Sequence, residues 1–331
     1  MFDPVRKEPR FLVEAQNITK IIDLSPYKMA PQLAWIGLGN MGRGMCTNLV
    51  GKGNLSKPLI IYNRTTSKAE ALSKKIGNST VSSSVADAVS VSDIIFTCLG
   101  DDAAVQSNIE EGLKGDVKGK VFVDCSTIHP DTTAAIAKSI EGKGASFVAC
   151  PVFGPPSMAD AGQLVCVLAG SKEAVEIVKP YCAGVIGRAN IDFSGQPQSK
   201  ATLLKIIGNT FIISMVETLS EGHVVAEKTG LGVEELHSFI ETVFPGPYTA
   251  YSSRLKSGDY YKRDEPLFAA KLARKDAKHA QDIAQSAGVT MKNMELADSY
   301  LSKVVEEKGD RGDIAGIYGA KRMEAGLPFD N

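Results

Sequence analysis

Residues 34–42 read AWIGLGNMG, a short apolar run that leads directly into the glycine spacing G-x-G-x-x-G. Gly37 allows the tight turn off a strand, Gly39 leaves no Cβ in the path of a pyrophosphate, and Gly42 lets the next helix pack closely on the sheet. A second apolar run, LIIY at residues 59–62, follows where such a unit holds the residue that contacts the ribose. The alternative is an ordinary glycine-rich strand–helix turn. The pattern predicts a dinucleotide-binding unit, with candidate cofactor-binding residues Gly37, Gly39, Asn40, Met41 and Gly42.

The residues after the second apolar run distinguish the two nicotinamide cofactors. An Asp or Glu at this point would bind a ribose 2′-hydroxyl and repel a 2′-phosphate, but the sequence has Asn63, Arg64 and Thr65. A guanidinium can hold a phosphate through two parallel hydrogen bonds. We therefore predict that these three residues bind NADP(H). The alternative for Arg64 is a solvated arginine at the end of a strand.

Length and composition are typical of a two-domain enzyme. The chain has 331 residues, of which 44% are hydrophobic, and a chain of this length usually forms about two domains. A formal net charge of −1 gives no electrostatic basis for binding nucleic acid or an anionic membrane. No uninterrupted apolar run approaches the ~20 residues of a membrane span. The expected partner is a small-molecule substrate.

Neither the cysteines nor the histidines show the spacing of a metal site. The sequence has no C-x-x-C and no H-x-x-x-H pattern, so we expect no metal. Most cysteines lie in apolar, strand-like runs, which is typical of buried free thiols in a reducing compartment. We expect a cytoplasmic rather than a mitochondrial protein. The residues concerned are Cys46, Cys98, Cys125, Cys150, Cys166, Cys182, His129, His223, His237 and His279.

Residues 1–32 precede the first predicted strand and are interpreted as an N-terminal extension. The segment contains Asp3, Glu8 and Glu14 and lacks an apolar core, so it fits neither a secretory signal nor an acid-poor transit peptide. Two hypotheses are open: Met29 is the natural start, or the segment is a genuine N-terminal arm. Mass spectrometry of the native N-terminus distinguishes them.

Strands and helices are predicted to alternate in the first part of the chain and to give way to helices from about residue 198. Such alternation is typical of a doubly wound parallel sheet. The predicted fold class is α/β, with a Rossmann-type NADP-binding domain at residues 33–196 and an all-α domain for substrate binding and dimerisation at residues 197–331. The strand-like runs are at residues 93–99, 121–124, 146–150 and 164–168, and the helix-like runs at 67–76, 85–90 and 130–140.

Four later segments add sequence motifs to the glycine loop. They are DCSTIHP at 124–130, PVFG at 151–154 with AGQL at 161–164, KIIGN at 205–209, and LARKD at 272–276. In order and content the set resembles motifs of the β-hydroxyacid dehydrogenases, the relatives of 6-phosphogluconate and 3-hydroxyisobutyrate dehydrogenase. The resemblance covers about residues 33–325 and implies a nicotinamide-dependent oxidoreductase that forms a homodimer through its helical half.

Lys205 and Asn209 lie four residues apart and so share one face of the predicted long helix at residues 198–229. Burial lowers the pKa of a lysine, and such a lysine can exchange a proton with a substrate oxygen while a hydride moves to or from the nicotinamide. We predict that Lys205 is catalytic and that Asn209 orients the substrate. The alternatives are a lysine that reaches solvent and a surface amide. The helix is expected to be packed nearly all round because of Leu203, Leu204, Ile206, Ile207 and Phe211.

Ser126 and Thr127 end a predicted strand just before a helix, in the crevice where open α/β sheets bind ligands. Their hydroxyls and the following N–H groups can hold a substrate carboxylate, and the alternative is a simple helix cap. The resemblance implies that Gly154 also contacts substrate. It further implies cofactor contacts from Leu99, Asp101, Thr127 and Lys275, the alternative for Lys275 being a solvated helix face.

The sequence departs from the family pattern beside the predicted catalytic lysine. Where many members have Ser-Gly-Gly for the substrate carboxylate, this chain has Phe153, Gly154 and Pro155, and the proline has no N–H to donate. Where many members have Asn or His, three positions after the lysine, it has Gly208. We therefore expect a more apolar pocket than in an enzyme for small hydroxy acids.

The predicted function is that of an NADP-dependent oxidoreductase that interconverts a 3-hydroxy acid and its semialdehyde or keto acid. Lys205 argues against an imine or bulky-carbonyl reductase on the same scaffold, because those relatives usually lack the lysine, while Phe153 and Gly208 argue for one. A non-catalytic nucleotide-binding protein is the alternative from another class. The presence of Lys205, Asn209 and Ser126 together argues against it.

Overall fold

The chain from Leu33 to Ser194 forms a nine-stranded sheet with helices between its strands. The structure is a computed structural model that describes residues 30–331. The hypotheses on Met29 and on the N-terminal extension therefore concern residues that, apart from residues 30–32, lie outside the described part. The strands are β1 (Leu33–Ile36), β2 (Leu59–Tyr62), β3 (Ser79–Val81), β4 (Ile94–Thr97), β5 (Val121–Asp124), β6 (Ser146–Ala149), β7 (Val152–Phe153), β8 (Leu164–Gly170) and β9 (Gly187–Ser194).

The strands are ordered β3-β2-β1-β4-β5-β6-β8-β7, with β9 paired to β8. From β3 to β6 all pairings are parallel, as the sequence predicted. The predicted parallel sheet carries an addition at its far edge that the sequence did not indicate, since β8 runs antiparallel to both β6 and β7. β7 follows β6 after only two residues, too few for the crossover that a parallel neighbour requires. The next strand, β8, then returns along both of them.

Both faces of the sheet are covered by apolar side chains. Along β1, Leu33 and Trp35 belong to one core cluster, while Ala34 and Ile36 belong to another. Because successive side chains of a strand point to opposite faces, this division shows a core on each side of the sheet. The helices of this half are α1 (Gly42–Lys52), α2 (Thr66–Ile76), α3 (Val85–Ser90), α4 (Asp102–Gly112), α5 (Pro130–Glu141), α6 (Pro156–Ala161) and α7 (Lys172–Val178).

The second half of the described chain is helical and has its own core. A buried cluster joins the long helix α8 to the helices that follow it. Gly230, Gly246 and Gly288 separate successive helices, and all three have positive φ. The helices are α8 (Ser199–Thr229), α9 (Val233–Val243), α10 (Pro247–Ser257), α11 (Asp259–Lys262), α12 (Ala270–Ser286), α13 (Lys292–Lys308) and α14 (Ile317–Glu324).

The expectation that α8 is packed nearly all round is wrong. Ile206 and Ile213 are fully buried, but Ile207 is 44% exposed and Phe211 is 73% exposed. These two exposed residues lie four apart, so they share one side of the helix. The sequence did not show this because the apolar residues of α8 are spread around its circumference. One side of the helix therefore presents an apolar surface to solvent.

α8 is also a longer apolar segment than the sequence analysis expected. Among the described residues it is the one helix long and apolar enough to cross a membrane by length and composition alone, and 56% of its most apolar window is buried inside the protein. The sequence argument counted only uninterrupted apolar residues and so missed it. The core helix of a compact protein meets the same test, and Ile206, Ile213 and Val216 pack into the helical core.

The cysteines are free thiols, and all but Cys98 are buried, as the sequence predicted. Three of them, Cys150, Cys166 and Cys182, have sulfur atoms within 4.8 Å of one another in the core beneath the sheet, a proximity that their sequence spacing did not indicate. Burial raises the pKa of Cys46 to about 12, and buried protonated thiols pack as small apolar groups.

Candidate active site

The glycine loop after β1 is tight on its protein side and open at its tip. Gly37 has a φ of +99°, and a Cβ there would lie 2.3 Å from the carbonyl oxygen of Cys98. A Cβ at Gly42, the first residue of α1, would lie 2.2 Å from the carbonyl oxygen of Gly37. Around a Cβ at Gly39, by contrast, no atom of the described residues lies within 4 Å. The loop therefore leaves room at Gly39, at the N-terminus of a helix, for the phosphates of a dinucleotide.

Asn63 fixes this loop to the end of β2. Its Oδ1 accepts a hydrogen bond from the Leu38 N–H at 3.0 Å, and its Nδ2 donates to the Thr65 carbonyl at 3.1 Å. Arg64 and Thr65 are exposed beside it, and Thr65 precedes α2 as its N-cap residue. Arg64 is thus an exposed residue at the strand end that Asn63 joins to the glycine loop.

Asn40 and Met41 connect the loop to its surroundings. Met41 is the N-cap residue of α1 and is partly buried. The Asn40 Nδ2 donates to the Pro266 carbonyl at 2.8 Å. Because Pro266 lies just before α12, this hydrogen bond joins the glycine loop to the helical half of the chain.

A buried network links the ends of β4 and β5. Asp124 Oδ1 accepts hydrogen bonds from the hydroxyls of Thr97 and Ser126, each at 2.6 Å. The Ser126 Oγ also accepts from the Leu99 N–H at 2.9 Å. Burial raises the pKa of Asp124, an effect that these two hydroxyls partly oppose. The Ser126 hydroxyl is therefore used to hold two loops together, a role that the sequence did not indicate.

Asp101 and Asp102 lie at the start of α4, in the same crevice. Asp101 Oδ1 accepts from the Ala104 N–H at 2.8 Å, so Asp101 caps the helix. Asp102 accepts from the His129 N–H and from His279 Nε2, both at 2.9 Å, and the second bond crosses to α12. Burial opposes ionisation of Asp102, but hydrogen bonds from His279 and its other partners lower its pKa well below the usual range. The sequence did not predict this link between the two halves.

Lys205 and Asn209, predicted to share a helix face, lie in direct contact. The Lys205 Nζ donates to Asn209 Oδ1 at 2.9 Å, and Asn209 Nδ2 donates to Asp276 Oδ2 at 2.7 Å. Lys205 is 9% exposed, Asn209 7% and Asp276 3%. Burial lowers the pKa of Lys205 to about 8, partly opposed by the charge of Asp276. A lysine with that pKa can both give and take a proton near neutral pH.

Asp276 was not among the predicted site residues. The sequence pointed to Asp276 only through its place in the LARKD segment at residues 272–276. A Lys–Asp pair on a helix is usually solvated, so the residue was not selected. Lys275, beside it, donates to the Thr127 carbonyl and lies 3.3 Å from Asp276 Oδ1. Lys275 therefore connects α12 to the loop after β5.

Phe153 covers the other side of Lys205. The Lys205 Nζ lies 4.6 Å from the centroid of the Phe153 ring, a distance typical of a cation–π contact. A Cβ at Gly208 would lie 2.5 Å from two carbons of the same ring. Gly154 has a φ of +136°, and a Cβ there would lie 2.7 Å from a methyl carbon of Leu164. The two departures from the family pattern therefore meet in space.

The site thus gathers the predicted residues at one edge of the sheet. The glycine loop follows β1, Leu99 follows β4, and Ser126 and Thr127 follow β5, while α8 and α12 supply the lysines. This is the edge at which open α/β sheets bind ligands. A buried lysine of lowered pKa in such a crevice is suited to proton transfer.

Comparison with known proteins agrees with this geometry. Residues 32–190 match the family model described as the NAD binding domain of 6-phosphogluconate dehydrogenase. Residues 199–320 match the one described as NAD-binding of NADP-dependent 3-hydroxyisobutyrate dehydrogenase. Both halves of the chain therefore match enzymes of one family.

Two curated relatives extend over most of this chain. The NADH-dependent oxidoreductase ucdB of Aspergillus ustus is 39% identical over 290 residues, covering 87% of this chain and 98% of that protein. Glyoxylate/succinic semialdehyde reductase 1 of Arabidopsis thaliana is 30% identical over 278 residues, covering 82% and 92%. Both relatives are named as oxidoreductases.

Solved structures show the same fold at low sequence identity. A 3-hydroxyisobutyrate dehydrogenase of Mycobacterium tuberculosis, solved with L-serine, has a TM-score of 0.75 and 22% identity, covering 89% of this chain and all of that one. An imine reductase from Pseudomonas sp. has a TM-score of 0.56 and 19% identity, covering 88% of this chain and all of that one. The chain belongs to the β-hydroxyacid dehydrogenase family, as an NAD(P)-binding oxidoreductase with a Rossmann fold followed by a helical half.

Proposed function

We propose that this protein interconverts a hydroxy compound and its aldehyde or ketone, with Lys205 as the group that exchanges the proton. The observation that carries the proposal is the buried Lys205 Nζ, held by Asn209 at 2.9 Å near the sheet edge at which the predicted cofactor loop lies. A 3-hydroxy acid and its semialdehyde or keto acid, the pair that the family implies, are the first substrates to test.

The hydrogen bonds of the site residues indicate a role for each of them. The nicotinamide cofactor, when bound, supplies or accepts the hydride. In reduction the Lys205 ammonium donates a proton to the substrate oxygen, and in oxidation the neutral amine accepts the hydroxyl proton. Asn209 holds the Lys205 Nζ, and Asp276 fixes the Asn209 amide through the hydrogen bond at 2.7 Å. Lys275 links α12 to the Thr127 loop.

We further propose that the preferred cofactor is NADP(H). The proposal is supported by the absence of a carboxylate at residues 63–65 and by the exposed guanidinium of Arg64. The printed name of the Aspergillus ustus relative, an NADH-dependent oxidoreductase, makes the choice a direct experimental question. Initial rates with NADPH and NADH at equal concentrations answer it.

A second candidate activity is the reduction of imines or bulky carbonyl compounds. The apolar pair of Phe153 and Gly208 beside Lys205 favours it. A panel of 3-hydroxy acids, semialdehydes and cyclic imines, followed by NADPH absorbance, separates the two activities. Turnover of imines alone, with a Lys205→Ala variant as active as the wild type, would replace the first proposal by the second.

We also propose that the protein is a homodimer that associates through its helical half. Ile207 and Phe211 form an exposed apolar strip on α8, and a long helix with such a strip is usually covered by another surface. Light scattering at micromolar concentration tests the proposal.

A further inference from the structure

Phe153 and Gly208 face each other across one gap, and the Phe153 ring fills it. They are far apart in sequence, on β7 and α8, yet the Phe153 ring lies where a side chain at position 208 would begin, with Cε1 and Cζ 2.5 Å from the position of a Cβ. Heavy atoms do not approach that closely, so any side chain at position 208 would displace the ring from this position. The absence of a side chain at 208 in turn leaves the gap that the ring fills.

The Phe153 ring is held in place by other apolar side chains. It packs against a small cluster formed by Ala149, Val167, Ala169 and Ala201, beside Leu204. The centroid of the ring lies 4.6 Å from the Lys205 Nζ. Phe153 is half-buried, so part of the residue remains exposed. It therefore forms a fixed apolar wall next to the proton-transferring group.

Several groups that could hold a carboxylate near this wall are missing or already engaged. The Phe153 side chain has no hydrogen-bond donor, and Pro155 has no N–H. The Ser126 hydroxyl donates to Asp124 at 2.6 Å. A carboxylate placed against the ring would lose hydration without gaining these partners, which is unfavourable. The nearby Lys205 Nζ does not replace them, because Asn209 holds it and the proposed function assigns its proton to the reacting oxygen. A neutral aromatic or aliphatic group would instead bury apolar surface against the ring.

We infer that the site selects carbonyl substrates, and the corresponding alcohols, whose group next to Phe153 is neutral and apolar, an aromatic ring above all, rather than a carboxylate. The inference rests on the proposed exchange of hydroxy and carbonyl groups, and within it replaces the carboxylate-bearing pair that the family implies by a neutral, apolar class. Phe153 and Gly208 are the specificity-determining pair, and the two positions act as one unit.

The first test compares aldehydes that differ only in the distal group. 3-Phenylpropanal and succinic semialdehyde share the CH₂CH₂CHO unit and carry a phenyl ring or a carboxylate, and the methyl ester of the semialdehyde is a neutral control. We expect kcat/KM to be at least ~10-fold higher for the phenyl compound, within the range by which apolar pockets discriminate. The ester should lie between the two. A kcat/KM for succinic semialdehyde equal to or above that for 3-phenylpropanal would overturn the inference.

The second test replaces Gly208 alone and then Gly208 together with Phe153. Gly208→Asn alone places its Cβ against the ring and should lower kcat/KM for 3-phenylpropanal at least ~10-fold. The double variant with Phe153→Ser removes the clash and should shift the phenyl-to-carboxylate ratio at least ~10-fold toward the carboxylate. Phe193→Ser is the matched control, because Phe193 packs on the same apolar cluster; its ratio should stay at the wild-type value. A double variant with the wild-type ratio would contradict the role of the pair.

A binding measurement separates this inference from the proposed function. 3-Phenylpropanamide and succinamate are non-reacting analogues of the two aldehydes, and their binding to the cofactor-loaded protein is followed by NADPH fluorescence. Tighter binding of the phenyl compound supports the inference even if neither aldehyde is reduced, an outcome that would contradict only the proposed function. Equal binding, or tighter binding of succinamate, overturns the inference even if both aldehydes are reduced.

Discussion

Asn209 donates a hydrogen bond to Asp276 over 2.7 Å, and the bond joins the long helix α8 to α12 inside the protein. On its other side Asn209 accepts from Lys205. The three residues form a chain in which a buried carboxylate orients an amide, and the amide orients the lysine. Asp276 is therefore a positioning residue, and its charge also acts on Lys205.

Replacing Asp276 with asparagine tests this arrangement. The carboxylate raises the pKa of Lys205, so its removal should lower that pKa further below the usual lysine value. The alkaline rise of kcat/KM for alcohol oxidation should move to lower pH, and kcat should fall ~10-fold as the hydrogen bond to a charged group is lost. Asp282→Asn, an exposed change on the same helix, is the control. An Asp276→Asn profile that coincides with the wild type would contradict the prediction.

The wild-type pH profile follows from the burial of Lys205. Its pKa is lowered to about 8 by loss of solvation, with Asp276 opposing and Lys275 reinforcing the shift. Oxidation requires the neutral amine, so its kcat/KM should rise with pH through an apparent pKa near that value. Reduction requires the ammonium, so its kcat/KM should fall over the same range. Initial rates in both directions check this, and a profile flat across that range in either direction argues against proton transfer by Lys205.

The sequence predicted the parts of the site that depend on local spacing. The glycine loop and the pairing of Lys205 with Asn209 follow from residues a few positions apart, and the structure places both as expected. The engagement of the Ser126 hydroxyl by Asp124, and the approach of Asp276 to Asn209, depend on side chains from separate elements. No pattern along the chain contains them.

The two departures from the family pattern beside Lys205 also make a contact between separate elements that the sequence did not show. Phe153 and Gly208 were interpreted from sequence as two separate losses of polar contact. The fold shows that they are complementary, because the ring fills the space above the glycine. The exposure of Phe211 was equally hidden, since an apolar residue on a mostly apolar helix gives no sign of which side faces solvent.

Cofactor preference is tested at Arg64. Arg64→Ala should lower kcat/KM with NADPH ~10- to 100-fold, as expected for the loss of a hydrogen bond between charged groups, and should change the NADH value little. Arg188→Ala removes an exposed arginine from β9 and serves as the control. Wild-type efficiency with NADH that equals or exceeds that with NADPH would refute the proposed preference.

Dimer formation is tested at Phe211, which is 73% exposed on α8. A charge on an apolar surface that is buried on association opposes that association, so Phe211→Asp should give a monomer at a protein concentration at which the wild type is a dimer. Multi-angle light scattering of both proteins provides the comparison. A wild type that is monomeric at micromolar concentration would rule out the proposed dimer.

The proton-transfer role of Lys205 is tested most directly by measuring kcat and NADPH affinity together for Lys205→Ala. The variant should lose at least ~10²-fold in kcat, the lower end for general acid–base groups. It should keep its NADPH affinity, because the glycine loop and Arg64 belong to the other half of the chain. A variant within threefold of the wild-type kcat, or one that no longer binds NADPH, would show that Lys205 is structural.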